Sequence, residues 1–297
     1  MFKGFFNRMY NGNPNRPDID PEDMPRNKYE LFFTTLGVRF GDLIKLNLLY
    51  ALFLLPTLIW TVLNFMALNT VDANMTADQM NQQLLGTLQI YLFWMILCLA
   101  LAGPPTAGLT YIARNWSRDE HAWLWSDFKE HMAKNWKQGA ALGAIMGAAL
   151  FVGFETLYFY TILMAQNEWM WIMQMIFIVL LCLFLLSFIY AFPMMVTYKL
   201  KVSQILRNSL MLALGRLPFT ILFGALALVP TVLGVVAFAI FQSLIALMVY
   251  VLFYLLIGFS LWAFVANSYT NATFLRLMRA DAEDMHIDPE DREGPST

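Results

Sequence analysis

Residues 103–138 read GPPTAGLTYIARNWSRDEHAWLWSDFKEHMAKNWKQ, and they hold the plan of the chain in small. The first third closes a long apolar run, and Arg114 is the first charge after it. The other two thirds are polar yet crowded with tryptophan, at Trp116, Trp123, Trp125 and Trp136. Ser117 and Glu120 make the S-x-x-E pattern of a capping box, in which each side chain satisfies a backbone N–H at a helix start. Trp125, Phe128, Met132 and Trp136 then recur at spacings of three or four, the period of one helical face. Lys129, Glu130, Lys134 and Lys137 fall elsewhere on the wheel. The stretch predicts a membrane-crossing helix that ends in a basic elbow. After it comes an amphipathic helix over about 117–137, lying in the headgroup layer or against a partner.

Working outward, composition agrees with that solvent. Of 297 residues 59% are hydrophobic and 13% charged, against about 25% charged in a soluble domain. Cys98 and Cys182 both sit inside apolar runs and read as small buried hydrophobes rather than disulfide or metal partners. No secretory signal is expected, because the first 43 residues carry Pro, Asp and Arg and no apolar core. Apolar stretches of about 20 residues mark helices that cross the roughly 30 Å hydrocarbon layer. They fall at about 44–68, 88–113, 139–163 and 169–197. From Leu217 to Leu275 there is no charge at all; one helix of that length would be about 90 Å long, so the chain must fold back, near Gln242 and Ser243. That yields two more spans, at about 218–239 and 243–267. The expectation is an all-α, polytopic membrane protein of six spans in three hairpins. A segment over 1–43 precedes them and an acidic tail over 276–297 closes the chain.

Lys and Arg set the orientation. Seven lie between Lys3 and Lys45, five between Arg114 and Lys137, four between Lys199 and Arg216, and three between Arg276 and Arg292, which accounts for all 19. The connections near 69–87, 164–168 and 240–243 hold none. Both termini are therefore expected in the cytoplasm, with 69–87 as a small external loop. The proline-rich stretch to residue 27 reads as a tail and Tyr29 to Phe40 as a short interfacial helix. Asp42 and Lys45 read as boundary anchors that reach water.

Inside the spans, Pro56, the Gly103-Pro104-Pro105 run, Pro193 and Pro230 are candidate helix breaks, since proline removes a backbone donor and clashes with the preceding turn. Such breaks either kink a packed helix or build a substrate site near the bilayer midplane. Glu155 is the one acidic residue well inside an apolar run, an intramembrane ionisable candidate, although its position along the helix puts it near the outer interface. Asn64, with Gln174 and Ser260, completes a thin supply of polar groups. KLKVSQILRNSLMLALGRLP, beginning at Lys199, predicts a second amphipathic helix over about 203–216, capped by Ser203, with Leu206, Leu210 and Leu214 on its apolar docking side.

The opening MFKGFFN, GDLIKLNLLYALFLLP at 41–56, GPPTAGLTYIARN at 103–115, SDFKEHMAKNWKQ from Ser126 and SQILRNSLMLALGRLPFT at 203–220 resemble the YesL family, the domain-of-unknown-function 624 group. The order of the motifs carries the likeness, which touches the chain to about residue 270. One departure is that about forty residues, roughly 60–100, separate Pro56 from Gly103. The resemblance implies a bacterial integral membrane protein without defined catalytic residues, of a kind often found beside carbohydrate-uptake ABC transporters and their regulators.

An enzyme is not expected. His121, His131 and His286 lack zinc-ligand spacing, and no phosphate loop, nucleophile elbow or carboxylate pair is present. No cofactor, metal or nucleic-acid partner is expected either. Two readings remain: an accessory or assembly partner of a carbohydrate ABC permease or sensor kinase in the bacterial inner membrane, or a small-molecule or lipid transporter in its own right. If the proline breaks converge on a wet cavity walled by Glu155 or Asn64, transport is favoured; a dry bundle favours partnership.

Overall fold

A computed structural model describes residues 28–68, 75–241 and 244–284. The expected tail before residue 28, the turn at Gln242 and Ser243 and the acidic segment beyond 284 lie outside those residues. Among the described residues there is no strand. The chain divides at Val38 into two units. The first contributes helix α1 (Lys28–Val38), in which Phe32 and Phe33 meet edge to face at 5.2 Å.

The second unit carries α2 (Phe40–Phe53), α3 (Leu55–Leu68), α4 (Ala77–Ser117), α5 (Leu124–Lys134), α6 (Trp136–Met164), α7 (Met170–Thr197), α8 (Val202–Gly215), α9 (Leu217–Phe241) and α10 (Leu244–Phe253). A π-helical turn, Tyr254–Gly258, joins α10 to α11 (Phe259–Asp284). Five stretches are long and apolar enough to cross a membrane: α4, α6, α7, α9 and Met248–Arg276. The protein is a multi-pass helical membrane protein. A sixth span exists only if α2 and α3, which meet at 66°, count as one.

That bend has a local cause. Pro56 sits in the first turn of α3, where a missing N–H is tolerated, but it cannot donate to the carbonyl of Leu52. The Leu54 N–H instead splits between the carbonyls of Tyr50 (3.2 Å) and Ala51 (3.1 Å). The environment changes at the same point: α2 buries Leu43, Leu46, Asn47, Tyr50 and Ala51, whereas α3 has no buried residue. Polar atoms hold α3 to α4. Trp60 Nε1 donates to the Tyr91 carbonyl at 3.1 Å and Thr57 Oγ1 to that of Cys98 at 3.4 Å.

The expected loop over 69–87 is shorter than the sequence suggests. Helix α4 begins at Ala77, where Thr76 and Gln79 form a reciprocal capping box, and its 41 residues measure about 60 Å. A second correction concerns Ser117 and Glu120, which end a helix rather than start one. Glu120 N–H reaches back to the Asn115 carbonyl (2.9 Å) and Asp119 N–H to that of Trp116 (3.1 Å), the two bonds of a Schellman stop. Asp119 takes the left-handed position, φ 59°, which Asp tolerates better than most residues. Helix α5 starts later, where Asp127 Oδ2 accepts the Trp123 N–H at 2.8 Å.

The centre of the molecule is the antiparallel pair α4 and α6. Gly139, Gly143 and Gly147 recur every fourth residue on one face of α6, and opposite them lie Gly103, Leu99 and Ile96 of α4. A Cβ built on Gly147 would stand 2.7 Å from Ile96 Cα, and one on Gly139 would stand 2.8 Å from the Gly103 carbonyl oxygen. One on Gly143 would run into the Leu99 carbonyl oxygen. Small residues are what let helix backbones approach this closely in lipid, where apolar side chains gain nothing by leaving the solvent. Towards the end where Lys and Arg collect, Tyr190, Met194 and Met195 of α7 join Ile205 and Ala213 of α8 and Phe274 of α11 in a buried cluster.

Candidate functional site

The expected site residues do not come together. Pro104 and Pro105 lie within α4, Pro193 within α7 and Pro230 within α9, and each helix runs through its proline. Of the candidate break positions, Pro56 alone lies beside an interruption between two helices. Hydroxyls close to two of these prolines bond carbonyls of the same turn: Thr106 donates to Ala102 at 2.7 Å and Thr197 to Pro193 at 2.6 Å. Gly103 serves close packing against Gly139. Glu155 is half-buried and accepts from Gln89 Nε2 of α4 at 3.2 Å. Asn64 spends its amide on the Trp60 carbonyl one turn back, at 2.8 Å, and Gln174 faces Leu157 and Thr161 across the α6–α7 hairpin. Cys98 is half-buried and Cys182 exposed, so neither is the buried hydrophobe expected.

Each of the two amphipathic helices packs on the bundle by one side and leaves part of the expected docking face outward. On α5, Phe128 is fully buried, stacked on Phe53 at 5.6 Å and seated where Gly108 leaves room; a Cβ there would stand 2.7 Å from the Phe128 carbonyl oxygen. Trp125 and Trp136 remain exposed, and Met132 is half-buried. The aromatic stripe is therefore split: Phe128 is the anchor, and Trp123 and Trp125 face outward. On α8 the buried residues are Ile205, Ser209 and Ala213, one position before Leu206, Leu210 and Leu214. Leu206 packs on the margin of the core, Leu210 is half-buried and Leu214 exposed. The N-cap of α8 is Lys201 rather than Ser203, with Gln204 Oε1 accepting its N–H at 2.9 Å.

The best-formed polar site is one the periodicity did not flag. Asn47 of α2 is fully buried. Its Nδ2 donates to the carbonyls of Tyr254 and Leu255 at 2.8 and 2.7 Å, and its Oδ1 accepts from Ser260 N–H at 2.9 Å. Ser260 Oγ donates to the Leu43 carbonyl at 2.8 Å. The π turn shifts backbone pairing away from the i+4 pattern, and Asn47 gives two of its carbonyls a side-chain donor. A second buried node joins three helices: Tyr190 Oη lies 2.8 Å from both Thr220 Oγ1 and Tyr269 Oη. Burying polar groups this way is favourable only when they are paired, and Asn47 uses both amide protons and its carbonyl. A lone Asn in an apolar window is the signal that would have found the first node. The G-x-x-x-G-x-x-x-G run at 139–147 would have found the α4–α6 contact.

At the basic end, His131 of α5 stacks on Tyr111 of α4 at 3.3 Å. Burial, and then the Lys134 charge, hold its imidazole below the ordinary pKa, so it is neutral at pH 7. Among the described residues no three His, Cys, Asp or Glu side chains gather as a metal site would require.

The fold thus defines a multi-pass α-helical membrane protein. Residues 43–154 match the family described as Protein of unknown function, DUF624. The match covers Asn47, Gly103, Gly108, Phe128 and the three glycines of α6; the motif at 203–220 lies outside it. No curated protein and no solved structure matches.

Proposed function

We propose that this chain is a non-enzymatic accessory protein of the bacterial inner membrane, with both termini cytoplasmic, that assembles with the permease subunits or sensor of a carbohydrate uptake system. The observation that carries this reading is how the interior polar groups are spent. Asn47, Asn64 and Ser260 each bond a backbone carbonyl, and Glu155 meets Gln89 rather than a proline-broken turn. A carrier needs polar or ionisable groups free for a substrate near the midplane, and those weighed for that role are occupied. The sorting of Lys and Arg supports the orientation. The partner class rests on the resemblance, and the outward Trp123 and Trp125 supply the aromatic surface a partner would use.

The test is purification of the tagged protein from its native membrane in a mild detergent. Recovery of permease subunits of a sugar uptake system in a fixed ratio supports the reading. Recovery of the protein alone, together with substrate flux in liposomes, would sink it and install the transporter reading.

A further inference from the structure

Arg114 and Arg118 project from the last turn of α4 at spacing i,i+4, so they are neighbours on one face. Each is half-buried. Arg114 Nη1 donates to the Val196 carbonyl at the end of α7, 3.2 Å away, and Arg118 Nε to Asn271 Oδ1 of α11, 3.0 Å away. Among the described side chains, the carboxylate paired with them is the half-exposed Glu120, 3.8 Å from Arg118, and the two arginines sit where α4, the α7–α8 turn and α11 meet. Arg114 Nε is buried without a partner, and so is the carboxamide oxygen of Asn267, which lies one turn before Asn271. Tyr198, packed on Phe274 at 5.5 Å, lies close enough to feel both guanidinium charges. Helix C-termini favour cations, which accounts for one arginine beside each carbonyl end. It does not account for a like-charge pair with an unused donor at the end of a spanning helix.

We propose that Arg114 and Arg118 form a binding site for a phosphate monoanion or dianion carried on a hydroxylated group, with Tyr198 and Asn271 at its margin. Guanidinium forks match phosphate oxygens bidentately. Two sources present this chemistry: the phosphoglycerol headgroup of an anionic lipid, and a soluble phosphorylated polyol.

The experiment measures thermal unfolding of the full chain in detergent with added phosphatidylglycerol, phosphatidylcholine or glycerol 3-phosphate. Wild type, R114Q/R118Q, R118Q alone and the exposed-arginine control R207Q are compared. Stabilisation by phosphatidylglycerol but not phosphatidylcholine, abolished in R114Q/R118Q and kept in R207Q, establishes the site with a lipid source. Stabilisation by glycerol 3-phosphate with the same mutant pattern establishes it with a soluble source. Should the double variant fail to fold, R118Q is expected to weaken apparent affinity about tenfold, one lost charge-assisted contact. Equal stabilisation by phosphatidylcholine, no stabilisation by either phosphate, or a response retained in R118Q and R114Q/R118Q would overturn the proposal.

Discussion

Helices α4 and α6 touch backbone to backbone, whereas α3 and α9 present side chain after side chain to the outside. The second pair is the more hydrophobic in look, yet its leucines and valines add little cohesion. α3 buries no residue, and in α9 long stretches such as Leu226, Leu228, Val229, Val232 and Leu233 are exposed. In lipid an exposed leucine has nothing to gain by going inside. What holds helices together is close approach at small residues and interhelical hydrogen bonds. The difference teaches that the residues to watch in this chain are its glycines, asparagines and hydroxyls rather than its leucines.

The most direct way to break that comparison is Gly143→Leu. The new side chain has only backbone to displace, so destabilisation should exceed the ~1–3 kcal/mol usual for overpacking. The purified protein should lose its cooperative thermal transition, and a normal transition would contradict the packing described. Next, Phe128→Ala should cost about 3 kcal/mol, felt as release of α5; Trp125→Ala should leave α5 docked. Hydrogen exchange over residues 124–134 separates the two.

Asn47→Leu removes three buried hydrogen bonds at once and strands the Tyr254 and Leu255 carbonyls. A loss of about 2 kcal/mol is expected, with faster exchange in 254–260. His131 gives a smaller effect. Its pKa is lowered in the folded state, so a released α5 binds the proton more readily. Docking is therefore indifferent to pH above about 6.5 and weakens as pH falls below it towards the lowered value. Protection of 124–134 should decline from pH 7 to pH 5, and His131→Phe should remove the decline. Smallest of all, Leu228→Ala on α9 should shift stability by less than about 0.5 kcal/mol, measured in the same unfolding assay.

The sequence made the class legible because the bilayer imposes length and charge rules that survive in one dimension. The apolar windows at 139–163 and 169–197 lie within a few residues of α6 and α7. The bend at Pro56 was readable as well, since proline there has a definite mechanical effect. Other features depend on what lies across the interface. Pro104 and Pro105 do not interrupt α4, and Ser117 with Glu120 mimics a helix start while closing a helix. Phe128 and Trp125 share a helical stripe, but only the first has Gly108 opposite it, a fact of tertiary geometry. Asn47 stands out as a lone amide in an apolar window, but its partner, the π turn of the last span, lies 207 residues away.

The role we propose is that this bundle holds a partner rather than carrying a solute. Photo-crosslinking in native cells addresses it, with a photoreactive residue at Trp125 on α5, at Leu228 on α9, and at buried Phe128 as the control. Covalent adducts to a permease or sensor subunit, identified by mass spectrometry, are expected from Trp125 and none from Phe128. Lipid adducts alone from both exposed positions, at native expression and with the uptake system present, would contradict it.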